Sequence, residues 1–237
     1  MGLKKSLMLW LLEKRRSTFF RWKKLNGVAI AADDRFWDVH LALLRDERCT
    51  QTLHERYNLW TLAQATARLG GAVAEVGVYR GGSAKLLCET GAGTPLYLFD
   101  TFAGMPTTNA ATDGGFSAGD FADTSLDDVR SYLNRYSGVH FYKGFFPDSV
   151  HGQEPEKLAY RLVHLDVDIK ESTLSCLKFF YPRMLQGGAI VSHDYGQLSA
   201  PGVKLAFDEF FADKPETVVR LWDTQCVVTK CSATSAK

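Results

Sequence analysis

A regular alternation of apolar runs and helical segments, from Ala72 onward, constrains the fold more than any other feature of this sequence. The runs typical of strands are AVAEVGV, PLYLFDTF, GVHFYKG, YRLVHLDVD, GGAIVSHDY, TVVRLW and QCVVTK. Between them lie segments with helical spacing of apolar residues, namely GGSAKLLCET, SLDDVRSYLNRY, ESTLSCLKFFYPRM and GVKLAFDEFFAD. Nearly continuous apolar strands that alternate with helices form parallel sheets covered on both faces. We therefore predict a doubly wound α/β domain with a mostly parallel, seven-stranded sheet.

The last two predicted strands must pair differently from the others. Only Asp223 and Thr224 separate TVVRLW from QCVVTK, and a parallel crossover needs a dozen or more residues. These strands are therefore expected to form an antiparallel terminal hairpin.

Apolar residues before Gly70 recur at helical spacings, for example Phe36, Val39 and Leu43. We predict an amino-terminal helical extension over residues 1–69, the α/β domain over 70–231 and a frayed tail over 232–237. A chain of 237 residues with 46% hydrophobic residues is long enough to bury a substantial core.

Charge and cysteine content narrow the range of partners. The formal net charge is +1, which gives no reason to expect nucleic acid binding. Residues 1–26 carry eight basic side chains against one acid, so a basic amphipathic helix there could touch a membrane surface weakly or join a homo-oligomer. Five cysteines without a CxxC spacing favour neither a disulfide framework nor structural zinc, and fit a cytoplasmic location. No stretch has the roughly 20 apolar residues of a spanning helix.

The segment AEVGVYRGGSA places Glu75, Gly77, Gly81 and Ser83 around a strand-to-helix turn. Glycines there allow a sharp turn and a close ligand approach at a helix amino terminus. The spacing does not fit the GxGxxG dinucleotide pattern, and an acid suits an ammonium or a ribose better than a phosphate. Asp100 ends the next strand, where a carboxylate can accept both ribose hydroxyls. A structural turn, a helix cap at Ser83 and a turn cap at Asp100 are the alternatives.

Two later strands end in a second group of polar residues. RLVHLDVD ends in Asp166 and Asp168, and GGAIVSHDY carries His193 and Asp194. If the strands are neighbours, these side chains converge at the carboxyl edge of the sheet, where a hard cation such as Mg²⁺ could bind. Asp168 could instead cap the helix that begins near Glu171, His193 could be a satisfied, semi-buried imidazole, and Asp194 could stabilise the turn before Gly196. His164 is expected to be a buried or supporting histidine and not a ligand.

The motifs EVGVYRGGSA, LFDTFAGMP, GDFADTS, YKGFFPDSV, HLDVDIKEST, FFYPRMLQGGAIVSHDY and PGVKLAFDEFF occur together and in this order. Over roughly residues 70–230 the chain resembles the macrocin O-methyltransferase family, metal-dependent enzymes of the class I S-adenosylmethionine-dependent methyltransferase fold. The resemblance implies S-adenosylmethionine contacts at Glu75, Gly77, Ser83 and Asp100. It also implies metal ligation by Asp166, His193 and Asp194.

Two residues depart from the family pattern. The family often has two adjacent carboxylates where this chain has His193-Asp194, and an aromatic residue where it has Lys170. A histidine ligand could move the preference from Mg²⁺ towards Mn²⁺.

The implied reaction is methyl transfer to a hydroxyl of a sugar or small polyol-like acceptor. Asp166, Asp168 and His193 are the predicted catalytic residues, with Asp168, His193 or Lys170 as the proton acceptor. A glycine-rich segment over residues 107–125 is predicted to form a lid, with Phe116 and Phe121 facing the acceptor. The rival functions are a nicotinamide-dependent oxidoreductase and a binding protein without catalysis.

Overall fold

The computed structural model describes residues 33–91 and 93–231, together with Trp10. The predicted basic segment over residues 1–26 and the tail over 232–237 otherwise lie outside the described residues. The strands in the described part of the chain are β1 Ala72–Val76, β2 Leu96–Asp100, β3 Val139–Lys143, β4 Tyr160–Leu165, β5 Met184–Ser192, β6 Val219–Arg220 and β7 Cys226–Thr229. Its α-helices there are α1 Asp34–Asp46, α2 Leu53–Thr66, α3 Gly82–Thr90, α4 Leu126–Leu133, α5 Lys170–Phe180 and α6 Gly202–Phe211. Short 3-10 turns are formed by Ala67–Leu69, Asp148–Val150, Glu154–Lys157 and Tyr181–Arg183.

These strands form one seven-stranded sheet within the described residues, in the order β3-β2-β1-β4-β5-β7-β6. Strands β1 to β5 are parallel, and β7 is antiparallel to both β5 and β6. The predicted α/β sheet with a reversed terminal hairpin is confirmed. The strand order changes direction between β1 and β4, and ligands of open α/β sheets bind beside the carboxyl ends of strands at such a point.

Helices cover both faces of the sheet because successive strand residues point to opposite sides. On β1, Val76 joins a buried cluster with Leu177 of α5 and Phe207 of α6. Val73, which lies on the same strand and points to the other side of the sheet, joins the opposite cluster, which includes Trp60 of α2. The helices α1 and α2 therefore share the core of the sheet.

The helix α2 begins at a capping box. The Thr52 side chain accepts from the Glu55 backbone N–H, and the Glu55 carboxylate accepts from the Thr52 N–H. Helix α1 ends at Glu47, which adopts a left-handed φ of 56°. The extended residues between the two helices run along the carboxyl edge of the sheet, so this part of the chain reaches the cleft described below.

Several element boundaries differ from the sequence prediction, among them those of β4, β5 and β6. Strand β4 ends at Leu165 and not at Asp168, because Asp168 turns to a left-handed φ of 60°. Strand β5 already begins at Met184, which pairs with Tyr160, although the sequence predicts a helix through this residue. Pro182 lies in the 3-10 turn before it and cannot donate a helical hydrogen bond. The strand β6 is only two residues long, against six predicted.

None of the helices in the described part of the chain combines the length and the apolar character that crossing a bilayer requires. All five cysteines are free thiols.

Candidate active site

A cleft of about 400 Å³ opens at the carboxyl ends of β1, β2, β4 and β5, where the strand order reverses. The predicted site residues that line it are Gly77, Ser83, Asp100, Asp166, Asp168, His193 and Asp194. Glu75 and Gly81 do not line it. The fold therefore brings the two predicted groups, at the ends of β1–β2 and of β4–β5, to one cavity.

Gly77 lies where the backbone after β1 meets the backbone after β4. Its φ is +84°, and a Cβ placed there would lie 1.8 Å from the carbonyl oxygen of Asp166. Only glycine fits this crossing. The close approach fixes the position of Asp166 relative to β1.

The turn from β1 into α3 follows directly. Gly81 adopts a φ of +81° at the amino-terminal cap position of α3 and offers no capping side chain. Ser83 stands in the first turn of the helix, is 7% exposed and faces the cleft. The helix amino terminus is thus close to the cavity, with Ser83 as its polar side chain.

The carboxylate of Asp100 holds two loops together. Oδ2 accepts hydrogen bonds from the backbone N–H groups of Val78 (2.7 Å) and Tyr79 (2.9 Å), and Oδ1 accepts one from Phe102 (2.6 Å). The turn-capping alternative is therefore present in the structure. A carboxylate has about four acceptor positions, so Asp100 keeps room on Oδ1 for a ligand hydroxyl.

Glu75 is fully buried behind the wall of the cleft. Its Oε1 lies 2.8 Å from Nδ1 of His164, and Nε2 of His164 lies 3.0 Å from Nε2 of Gln51, which does line the cleft. An amide nitrogen only donates, so Nε2 of His164 accepts and Nδ1 donates to Glu75. Burial raises the pKa of Glu75, with the His164 contact opposing it. As predicted, His164 is a buried supporting histidine.

Two atoms of this buried chain have no hydrogen-bond partner, Glu75 Oε2 and Gln51 Oε1. Both are acceptors, and unpaired buried acceptors are costly in a folded protein. Glu75 and Gln51 therefore keep acceptor capacity that the described residues do not use.

The carboxyl ends of β4 and β5 form a corner with His193 at its centre. His193 Nδ1 lies 2.8 Å from Asp194 Oδ2 and 3.2 Å from Asp166 Oδ1. On the opposite side of the ring, Nε2 lies 3.2 Å from Oε2 of Glu55 in α2. Both ring nitrogens are therefore engaged by carboxylates, which leaves neither free to take a proton from an acceptor.

The charges in this corner are strongly coupled. Burial on its own would lower the pKa of His193, but the charge of Asp166 and the contacts with Asp166, Asp194 and Glu55 raise it far above its ordinary value. Burial would raise the pKa of Glu55, and the His193 contact outweighs it and holds that pKa well below the usual range. The imidazolium therefore balances the carboxylates when no other cation is bound.

Asp168 occupies the same corner in a left-handed conformation and faces the cleft. Burial raises its pKa well above the ordinary value, and repulsion from Asp166 and Asp194 adds to the effect. The third predicted proton acceptor, Lys170, points elsewhere. Its Nζ pairs with Glu209 at 2.8 Å, and it does not line the cleft.

The loop over residues 101–125 forms the outer wall of the cleft. Phe116 and Phe121 line it, and the ring of Phe121 packs edge-on against Tyr79 at 5.3 Å. Asp113 is 2% exposed and ties the loop to the fold, because its Oδ1 accepts from the Lys170 N–H at the start of α5. Its Oδ2 accepts from the Asn109 N–H within the loop.

The sequence profile of the family described as Macrocin-O-methyltransferase (TylF) matches residues 52–228. The chain belongs to the macrocin-O-methyltransferase family. The match includes α2, which the resemblance noted in the sequence did not cover, and with it the residue Glu55.

Two curated proteins are similar to this member of the macrocin-O-methyltransferase family. The 8-demethyl-8-(2,3-dimethoxy-alpha-L-rhamnosyl)-tetracenomycin-C 4'-O-methyltransferase of Streptomyces olivaceus is 31% identical over 140 residues, 53% of this chain and 53% of that protein. The demethyldecarbamoylnovobiocin O-methyltransferase of Streptomyces niveus is 29% identical over 161 residues, 60% of this chain and 58% of that protein. The chain thus spans little more than half the length of the curated relatives it matches.

Solved structures share the fold. The O-methyltransferase NovP superposes with a TM-score of 0.66 at 22% identity, over 75% of this chain and 79% of NovP. An O-methyltransferase from Bacillus cereus, solved in complex with SAH, superposes with a TM-score of 0.55 at 15% identity, over 88% of this chain and 96% of that one. The predicted class I methyltransferase architecture is confirmed.

The corner meets the requirements of a divalent cation although it departs from the acid pair expected for the macrocin-O-methyltransferase family. One ligand atom each from Asp166, His193 and Asp194 lies within 4.8 Å of the others. Carboxylate oxygens suit Mg²⁺ and Mn²⁺, and an imidazole nitrogen suits Mn²⁺ better than Mg²⁺. The residues present therefore fit the group that the family implies.

Sequence patterns missed the part of the cleft that lies before β1. Arg48 and Gln51, between α1 and α2, line the cavity, and Glu55 contacts His193. The spacing of Thr52 and Glu55 is a recognisable capping box, so the start of α2 could have been found. No local pattern indicates that the same glutamate reaches a histidine on β5.

Proposed function

We propose that this protein is an S-adenosylmethionine-dependent O-methyltransferase acting on a hydroxyl of a sugar or small polyol-like acceptor, with the assistance of Mg²⁺ or Mn²⁺. One observation carries the proposal: Asp100 and the corner of Asp166, His193 and Asp194 face a single cleft at the strand-order reversal. Membership in the macrocin-O-methyltransferase family supports it. The relative from Streptomyces olivaceus is named for methylation at the 4' position of a rhamnosyl compound, which favours a sugar acceptor here.

The wall formed by β1 and β2 would hold the cofactor. Asp100 would accept a ribose hydroxyl through the free position on Oδ1, while its backbone contacts keep it aimed at the cleft. Ser83 and Gly77 would contact the amino-acid portion. Glu75 would act from behind the wall, through its contact with His164 and the contact of His164 with Gln51, and not by touching the ligand.

Bound S-adenosylmethionine supplies an already activated methyl group, so the chain has to position the acceptor and receive a proton. A divalent cation in the corner would lower the pKa of an acceptor hydroxyl. Asp166, His193 and Asp194 would hold that cation, and Asp168 would accept the hydroxyl proton. The acceptor oxygen forms a bond to the methyl carbon as the carbon–sulfur bond breaks, and the sulfur keeps the electron pair. Phe116 and Phe121 would cover the acceptor from the loop side.

Calorimetric titration tests the cofactor. Metal-stripped protein is titrated with S-adenosylmethionine and separately with NAD, before and after addition of Mg²⁺. We expect saturable S-adenosylmethionine binding and no NAD binding. Binding of NAD alone would favour the oxidoreductase alternative and refute the proposal.

Substitution Asp166→Asn tests the role of the corner. Loss of one anionic ligand should abolish transfer of a tritium-labelled methyl group to candidate sugar acceptors while S-adenosylmethionine binding is largely kept. Asp213→Asn, at an exposed position paired with Lys214, is the matched control and should leave transfer unchanged. Full turnover of Asp166→Asn would contradict the metal-assisted mechanism.

A further inference from the structure

We propose that Glu55 orients His193 as a nitrogen ligand of the divalent cation and thereby shifts the preference of the site from Mg²⁺ towards Mn²⁺. The inference rests on the metal-assisted function proposed above. It assigns a positioning role to a residue outside the cleft wall, on a helix that precedes the sheet.

The two nitrogen atoms of the His193 ring have different neighbours. Nδ1 points into the corner, 2.8 Å from Asp194 Oδ2 and 3.2 Å from Asp166 Oδ1, so it is the nitrogen that lies among the other candidate ligands. A ligating nitrogen must be unprotonated, and the neutral ring then carries its proton on Nε2. Glu55 Oε2 lies 3.2 Å from Nε2 and is the acceptor that this tautomer requires.

A carboxylate behind a metal-bound histidine is a common arrangement in proteins, because it fixes the tautomer, the ring orientation and the basicity of the ligand. Here the carboxylate is itself held rigidly. Oε2 of Glu55 also accepts from the Thr52 N–H at 2.9 Å. Its Oε1 accepts from the hydroxyl (2.7 Å) and the N–H (3.2 Å) of Thr224 in the β6–β7 turn. With 2% of its surface exposed, the side chain has little freedom to present anything but Oε2 to the ring.

The substitution Glu55→Gln changes this contact in a defined way. A glutamine has one acceptor oxygen and an amide nitrogen that only donates. If its oxygen stays with Thr224, the amide nitrogen faces Nε2 of His193 and favours the tautomer with the proton on Nδ1. That proton points at the position of the cation and opposes binding.

The identity of residue 193 explains why the loss of affinity in Glu55→Gln should depend on which metal is bound. Imidazole nitrogen raises the affinity for Mn²⁺ relative to Mg²⁺, whereas a carboxylate at this place would not. The chain has a histidine where its family often has an acid, and Glu55 supplies the support that only a histidine can use.

The test measures Mn²⁺ binding to the purified full chain by electron paramagnetic resonance, with Mg²⁺ as competitor. We expect Glu55→Gln to weaken Mn²⁺ binding by about 10- to 100-fold. His193→Asp should reduce the difference in affinity between Mn²⁺ and Mg²⁺. Adding Glu55→Gln to His193→Asp should cause no further loss of Mn²⁺ affinity. Glu209→Gln is the matched control, because it makes the same change at an exposed acid that pairs with Lys170 and does not contact the corner.

Spin-echo spectroscopy of Mn²⁺ bound to the unmodified protein adds a readout that does not require a substituted protein to fold. A nitrogen coupling is expected, and it should disappear in His193→Asp. Absence of that coupling in the unmodified protein would overturn the inference. So would a Mn²⁺ affinity of Glu55→Gln equal to that of Glu209→Gln. If the unmodified protein binds S-adenosylmethionine but no Mn²⁺, both this inference and metal assistance fail while the methyltransferase assignment stands.

Discussion

Replacing Gly77 by alanine should damage the junction between β1 and β4 far more than an ordinary glycine substitution. The new Cβ would lie 1.8 Å from the Asp166 carbonyl oxygen, about 1.6 Å closer than the 3.4 Å at which ordinary contact begins. The φ of +84° adds a left-handed penalty of roughly 1–2 kcal/mol. Displacing packed backbone adds roughly 1–3 kcal/mol. The total is about 2–5 kcal/mol, a large fraction of the roughly 5–15 kcal/mol that stabilises a folded protein.

Gly93→Ala separates the two contributions. Gly93 has the same φ of +84° but nothing within 4 Å of the position that a Cβ would take, so it carries the penalty of a positive φ without the clash. Urea unfolding of both variants should give a loss of about 1–2 kcal/mol for Gly93→Ala and the larger value for Gly77→Ala. The melting temperature should fall by about 2–4 °C per kcal/mol. Equal losses of stability in the two variants would refute the reasoning, because they would mean that the Asp166 backbone can move away from the new Cβ without an energetic cost.

Two further predictions concern residues away from the corner around His193. Burial, with the charge of Arg56, lowers the pKa of His40 to about 4. In the unfolded chain His40 is protonated near pH 6.5, whereas in the folded protein it stays neutral until about pH 4. The free energy of unfolding should therefore fall by up to about 3 kcal/mol as the pH falls from 7 to 4. Unfolding of His40→Gln, which keeps an acceptor for Arg56, should show a correspondingly flatter pH dependence, and identical slopes would contradict the assignment. Asp113→Ala should lower the free energy of unfolding by about 1–2 kcal/mol, because it removes the carboxylate that caps the first N–H of α5. Limited proteolysis should then cut the loop over residues 101–125 faster. Unchanged cleavage would show that Asp113 does not hold the loop.

Much of the fold followed from local patterns. The two residues between the last strands forced an antiparallel hairpin, and the apolar strands forced a covered parallel sheet. The positions of Asp166, His193 and Asp194 were predictable for the same reason, since neighbouring parallel strands end at one edge. Strand ends were less certain, because the turn at Asp168 depends on its left-handed backbone and not on polarity.

The partners of these residues were not predictable from local pattern. Every residue of β1 is buried, so the sequence did not show whether Glu75 faces the cleft or the interior. The structure pairs it with His164 behind the wall. The contact between Glu55 and His193 joins an early helix to a late strand, and it depends on how α2 packs across the sheet. Such contacts depend on tertiary packing, which short motifs do not encode.

The link between Glu55 and Thr224 also has a consequence for the order of folding. These residues are 169 positions apart in sequence, and Thr52 likewise bonds to Asp223 across a similar gap. Contacts of such long sequence separation form slowly, because the chain between them must be ordered first. During synthesis, α2 and β5 emerge before the hairpin that locks Glu55 in place. The histidine corner therefore acquires its final geometry only when the β6–β7 turn docks, which makes docking of this turn a condition for the cation site proposed above.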